Sequence, residues 1–166
     1  MTELGRISLI FALILTAYGA IISAYGGAEK KRNLIASGEN AVYATLTMLT
    51  ISSLGLIYAF LSRDFQVEYV HSYSSRSLPL FYTLSAFWAG QKGSLLLWAW
   101  LLAFFSSLVL IQNRHQNREL IPYATSVLML ILLFFLILLV FITDPFGRFP
   151  IHPADGRGLN PLLQNP

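Results

Sequence analysis

Apolar residues run along this chain in four long blocks separated by short polar breaks. Ile7–Ala28, Asn40–Ser62, Gly93–Asn113 and Ile121–Thr143 contain no Asp, Glu, Lys or Arg. Each exceeds the roughly 18–20 residues that a helix needs to cross about 30 Å of hydrocarbon. Backbone N–H and C=O groups in lipid must be satisfied within the segment, and none of these blocks alternates polar and apolar as a barrel strand does. The pattern predicts an all-α, polytopic membrane protein with four transmembrane helices, near 7–25, 42–61, 94–111 and 122–142.

The breaks have their own grammar. Gly19 and Gly26-Gly27 are expected to interrupt the first helix. Phe65–Tyr69 alternates briefly, as a short strand or extended segment would. Pro79 opens an apolar, aromatic element, Leu80–Phe87, too short to span and expected to lie as an interfacial helix. Gly90–Gly93 breaks it, with Ser94 placed to cap the third long helix. Pro122 suits the first turn of the fourth, which is so rich in Leu, Ile and Phe that it reads as largely lipid-facing. The tail 144–166, with five prolines and three glycines, is expected to be irregular and to lie over one membrane face. No second domain or repeat is apparent, so residues 1–166 read as a single membrane domain with an outer loop, 63–93, and an outer tail.

Composition agrees. The chain is 55% hydrophobic and 11% charged, against about a quarter charged in soluble domains. Its net charge of +3 does not indicate nucleic acid, because only Lys30-Lys31-Arg32 cluster and the other basic residues are scattered between spans. Their density speaks to orientation. Glu29–Glu39 and Gln112–Leu120 are short and basic, whereas Arg63–Lys92 holds three basic residues in thirty, so the two short loops are expected in the cytoplasm. The N-terminus, long loop and tail then lie outside. Glu3 and a basic cluster placed after the first apolar run favour a retained span over a cleaved signal peptide.

Candidate chemistry is sparse. Without cysteine, thiolate metal sites, disulfides and cysteine nucleophiles are excluded. No catalytic residue and no metal site is expected, and His71, His115 and His152 read as loop histidines. Gly90-Gln91-Lys92-Gly93-Ser94 has lysine before glycine and follows no strand, so it is not a phosphate loop. Trp100 reads as an interfacial anchor. Trp88 and Trp98 bracket the glycine break, and two readings stay open there: helix packing, or flat indole faces that hold a planar apolar ligand with Gln91, Lys92 and Ser94 at its polar edge.

The segment from Trp88 to Trp98, preceded by Leu78-Pro79-Leu80-Phe81-Tyr82 and Ser85-Ala86, resembles the CcmF-type haem lyase family of cytochrome c maturation. Glu3-Leu4-Gly5, Tyr69-Val70, Ser74-Ser75-Arg76, Asp144-Pro145-Phe146 and the run Gly156–Pro166 agree in order. The chain departs from the family at Ala89, usually glycine; at Lys92, usually an acid; at Gly158 and Asn165, usually Asp; and at Tyr73, often His. Family members also continue into a His-Pro-Pro segment and a tryptophan-rich haem motif that carry the haem-ligating histidines. The chain is therefore expected to be a naturally split N-terminal subunit or a truncated product.

The resemblance implies a part in presenting haem to apocytochrome c for thioether attachment, within a haem lyase when assembled and not as an enzyme alone. Haem would be held mainly through residues outside this chain. Trp88, Gly90, Gln91, Gly93, Ser94 and Trp98 would form a haem-facing or chaperone-facing wall, with Arg157 and Asn160 ordering the tail over it and His152 kept in view only through the resemblance. Implied partners are the remainder of the lyase, a haem chaperone, and apocytochrome c with its thiol reductant. The implied location is the bacterial cytoplasmic membrane, or the mitochondrial inner membrane in an organelle. Rival readings are a non-catalytic scaffold subunit and, disfavoured by spans without ionisable groups, a transporter or channel subunit.

Overall fold

The computed structural model describes residues 1–113, 117–151 and 153–159. Among the described residues six helices follow one another: α1 Thr2–Ala28, α2 Arg32–Leu61, α3 Glu68–Tyr73, α4 Leu80–Ala89, α5 Gln91–Gln112 and α6 Ile121–Ile137. The last continues as a π turn over Leu138–Thr143. Four of them, α1, α2, α5 and α6 with its π turn, are long and apolar enough to cross a membrane. They pack as an antiparallel bundle in which α1 touches α2 and α6, and α5 closes the ring against α2 and α6. One end of the bundle carries α3, α4 and the tail. The other carries the basic turns 29–31 and 117–120.

The α1–α2 seam is built from small residues. A Cβ on Gly38 would meet Ser23, and one on Gly55 would lie 3.2 Å from the Gly5 Cα. Midway, Thr16 Oγ1 stands 3.5 Å from Thr45 Oγ1. The paired residue numbers sum to a nearly constant value along the seam, as an antiparallel register requires. Lipid offers apolar side chains no incentive to leave it, so close backbone approach and dispersion hold such helices together. Thr16, Thr45, Ser106, Ser107 and Thr125 donate their hydroxyls to the carbonyl four residues earlier, which removes the cost of a bare polar atom in the core.

Several sequence expectations change here. Helix α1 is not interrupted: Gly19 sits inside it against Met129 and Ala41, and Gly27 against Pro122, so these glycines admit neighbours rather than break the helix. Phe65–Tyr69 is not a strand. Only Val67 makes a bridge, antiparallel to Arg148, before α3 begins. The cap of α5 is Gly90 and not Ser94, because the helix starts one turn earlier, at Gln91. Trp100 is no interfacial anchor. It lies about 15 Å along α5, and its indole N–H donates to Thr50 Oγ1 of α2 at 2.9 Å while its ring stacks on Phe104. α6 buries the face Thr125, Ser126, Met129, Leu132 and Leu136, with Ser126 Oγ donating to the Ala20 carbonyl at 2.8 Å, and leaves its other faces outward.

The Trp100–Thr50 bond should act as a cross-helix tie. In a double-mutant cycle with Trp100→Phe and Thr50→Ala, followed by denaturant unfolding in micelles, we expect a coupling of about 0.6 kcal/mol, and at most roughly 1.7 kcal/mol. A coupling of zero would reduce the contact to coincidence.

Candidate functional site: the tryptophan–glycine corner and its tail clamp

The chain turns from α4 into α5 through a single extended residue, Gly90, at φ −123° and ψ 169°. Such a corner strands the last carbonyls of α4 and the first amides of α5. Tyr69, projecting from α3 and 1% exposed, places one donor and acceptor in this gap. Its hydroxyl lies 3.3, 3.1 and 3.2 Å from the carbonyl oxygens of Ala86, Phe87 and Gly90, and accepts the Gly90 N–H at 3.0 Å. Ser94 Oγ donates to the Trp88 carbonyl at 2.8 Å. The Tyr69 ring meets Phe60 edge-on at 5.4 Å and Tyr73 at 4.9 Å. Burial pushes the phenol up to about 12, although hydrogen bonds to Gly90 and Gly93 oppose the shift.

Both corner glycines are sites of close approach. A Cβ on Gly93 would overlap the Phe87 carbonyl oxygen and stand 2.7 Å from the Tyr69 hydroxyl, while one on Gly90 would enter the Tyr73 ring. Lys92 donates to Glu68 Oε2 at 3.0 Å, which ties the first turn of α5 to that of α3. Around this fixed corner, Trp88 and Trp98 are 53% and 58% exposed. Gln91 is exposed as well. The expected wall residues therefore divide. Gly90, Gly93 and Ser94 form the inside of the corner, with Lys92 locked to Glu68, whereas Trp88, Gln91 and Trp98 present free surface.

The tail closes over α3. The Arg157 N–H donates to the His71 carbonyl at 2.7 Å and the Gly158 N–H to the Ser74 carbonyl at 3.0 Å, capping the end of that short helix. Gly158 is left-handed at φ +82°, a conformation that costs glycine little. Asp155 Oδ1 accepts the Arg76 N–H at 2.9 Å and the Gly156 N–H at 2.8 Å, and these bonds lower its pKa. Arg157 thus meets α3 through its backbone N–H. Its side chain borders a shallow hollow with His71, Phe149 and Ile151, where the His71 ring stands edge-on to Phe149 at 5.3 Å. Asn160, His115 and His152 lie outside the described residues.

A second clamp joins the tail to the chain start. Arg148 reaches Thr2 Oγ1, Glu3 at 3.5 Å and Asp64 at 3.9 Å, and Arg6 pairs with Asp144 at 3.7 Å. Sequence reasoning missed the parts of Tyr69 and Arg148. The available signals were Tyr69-Val70 in the resemblance and one arginine directly after Phe146-Gly147. Among the described residues no group of three His, Asp or Glu side chains can hold a metal ion.

Two variants test the corner. Gly93→Ala should cost about 3 kcal/mol, whereas Gly147→Ala, whose Cβ would meet nothing closer than 3.4 Å, should be nearly neutral. Tyr69→Phe should cost roughly 1–3 kcal/mol by orphaning buried polar groups. The phenol ionises near 10 when unfolded and near 12 when folded. Its contribution is therefore whole below pH 10 and lost as the pH rises towards 12. Thermal unfolding should show that alkaline loss in the parent and less of it in Tyr69→Phe.

No family model matches the chain. It is 35% identical over 166 residues to the Haemophilus influenzae cytochrome c-type biogenesis protein CcmF, covering 99% of this chain and 26% of that protein. It is 32% identical over 169 residues to Escherichia coli CcmF, again over 26% of the relative, and 34% identical to Haemophilus influenzae NrfE. A solved cytochrome c haem lyase CcmF superposes with a TM-score of 0.81 at 25% identity, over 91% of this chain and 25% of that one. The chain thus spans about a quarter of the length of the relatives it matches, and over that length it is a homologue of the CcmF and NrfE cytochrome c biogenesis proteins.

Proposed function

We propose that this chain is the N-terminal membrane portion of a cytochrome c haem lyase, and that Trp88, Gln91 and Trp98 form a contact wall for haem or its protein carrier. The observation that carries the reading is the pairing of two half-exposed tryptophans with a corner held rigid from behind by Tyr69, Ser94 and Lys92. Exposed aromatic surface on a preorganised support is what a planar apolar ligand, or a docking protein, binds with little ordering cost. Residues 88–98 contain no His, Met or Tyr, and Lys92 is engaged with Glu68. The corner therefore fits a wall that touches the porphyrin plane or a carrier, and does not fit a site that ligates iron. Ligation belongs to other parts of the lyase, and the chain is not catalytic alone.

In this reading the tail face is outside the bacterial cytoplasmic membrane, where apocytochrome c and its thiol reductant would be met. The basic turns face the cytoplasm. Arg157 helps to fix the tail beside the wall, as do Gly158 and Asp155. A scaffold role, docking partners without touching haem, is supported by the same lack of an iron ligand between residues 88 and 98.

Cysteines placed at Lys31 and Ser77, both exposed, should label from opposite sides of sealed vesicles. Labelling of the Lys31 site from outside would reverse the orientation.

The wall is tested by c-type cytochrome yield in cells where the variants accumulate normally. Trp88→Phe with Trp98→Phe keeps most of the apolar area but shrinks the flat surface and removes both indole N–H groups. If the wall is used, contact should weaken by on the order of 1–3 kcal/mol and yield should fall, while Phe141→Leu, on the outward face of the π turn, is tolerated. Unchanged yield from the double variant would leave the tryptophans as membrane anchors only.

A further inference from the structure

The two ends of the bundle differ in how far their charges are paired. At the tail end Arg6, Lys92 and Arg148 are in ion pairs, while Arg63, Arg76 and Arg157 are in none with another described residue. At the basic end the ion pair found among the described residues is Lys31 with Glu29, at 3.6 Å. There, a cavity of about 890 Å³ opens where all four spans end, and Lys30, Arg32, Arg118, Glu39 and Glu119 line it. None of these five is in an ion pair with another described residue. The remaining wall is largely apolar, with Ile35 from α2, Leu110 from α5 and Ile121 from α6.

The vertical order of these groups matters. Arg32, Ile35, Ala36 and Glu39 recur at helical spacing on one face of α2, so Glu39 sits about 10 Å inward of Arg32. The uncharged part of α2 starts immediately afterwards, at Asn40. A ladder about 10 Å long is deeper than the polar layer of a bilayer, roughly 5–7 Å on each side of the hydrocarbon, so Glu39 stands in that layer while Arg32 reaches the water above it. Charges of both signs, left unpaired there above an apolar floor, match an amphiphile with a zwitterionic head. A purely anionic head would leave Glu39 and Glu119 opposed.

We propose that this cavity is a phospholipid site for an ethanolamine headgroup. The phosphate meets Lys30, Arg32 and Arg118, and the primary ammonium, a hydrogen-bond donor, meets Glu39 and Glu119. The glycerol and upper acyl chains rest on Ile35, Leu110 and Ile121. The site is independent of the tail-face wall.

The test is native mass spectrometry of the whole purified chain in micelles, exposed to phosphatidylethanolamine, phosphatidylcholine or phosphatidylglycerol of matched acyl chains. The parent should retain the ethanolamine lipid several-fold more than the other two. Lys30→Gln with Arg118→Gln should lower retention of all three, by roughly fivefold per cation removed. Glu39→Gln with Glu119→Gln should abolish the preference for ethanolamine over choline, because a quaternary ammonium never used those hydrogen bonds. Lys31→Gln, outside the cavity, should change nothing, and circular dichroism checks that each variant keeps its helices. Equal retention of ethanolamine and choline lipids by the parent overturns the proposal. So does tighter retention of phosphatidylglycerol, or a lipid profile that neither double variant alters.

Discussion

The Tyr69 hydroxyl is the contact on which the tail face depends. A chain that turns from a short outer helix into a long membrane helix after a single residue has carbonyls and amides that neither helix satisfies. Water is the usual remedy, but this corner is buried against Phe60 and Tyr73. One phenol oxygen, acting as donor and acceptor at once, serves both helix ends. Because Tyr69 sits on α3, the corner and α3 become one body. The tail, bonded to the carbonyls of His71 and Ser74, then joins it. What is exposed on that body, Trp88 above all, inherits its rigidity.

The bundle beneath rests on a different principle. Along α1 the seam is made mostly of Gly, Ala, Ser and Thr, since in lipid only tighter packing distinguishes a protein neighbour from an acyl chain. Leu49, Leu96, Met129 and Leu132 are buried on the other helices. The larger apolar side chains are turned mostly outward: Ile14, Ile21, Phe105, Phe134 and Phe141 are exposed in the isolated chain. The outward faces supply broad apolar surface to lipid or to another apolar helix.

The long helices were legible because hydrocarbon thickness and the ban on bare backbone leave one solution for a charge-free block of over twenty residues. Helix ends were less so. α2 begins eight residues before its uncharged stretch, since Arg32–Glu39 continue the helix through the polar layer, where charge is no obstacle. The glycines of α1 were misread for a related reason: a residue that weakens a helix in water is in a membrane often the one that lets a second helix in. At the corner, spacing showed that Gly90 and Gly93 were special. It could not show that Ser94 turns back to Trp88, or that a tyrosine twenty-one residues away from Gly90 holds the turn, because those facts depend on where α3 lands.

At the tail face the ion pairs of Arg148 with Glu3 and Asp64 join the chain start, the outer loop and the tail. Those pairs hold the ordered surface on which Trp88 stands exposed. The basic face has no comparable network among its described residues, so its five cavity charges remain solvated or meet an outside group of mixed sign. One small bundle thus offers two unlike surfaces, a rigid aromatic one beside the ordered tail and a polar-layer cavity beneath the basic turns. The same four helices fix both, because each span contributes one end to either face.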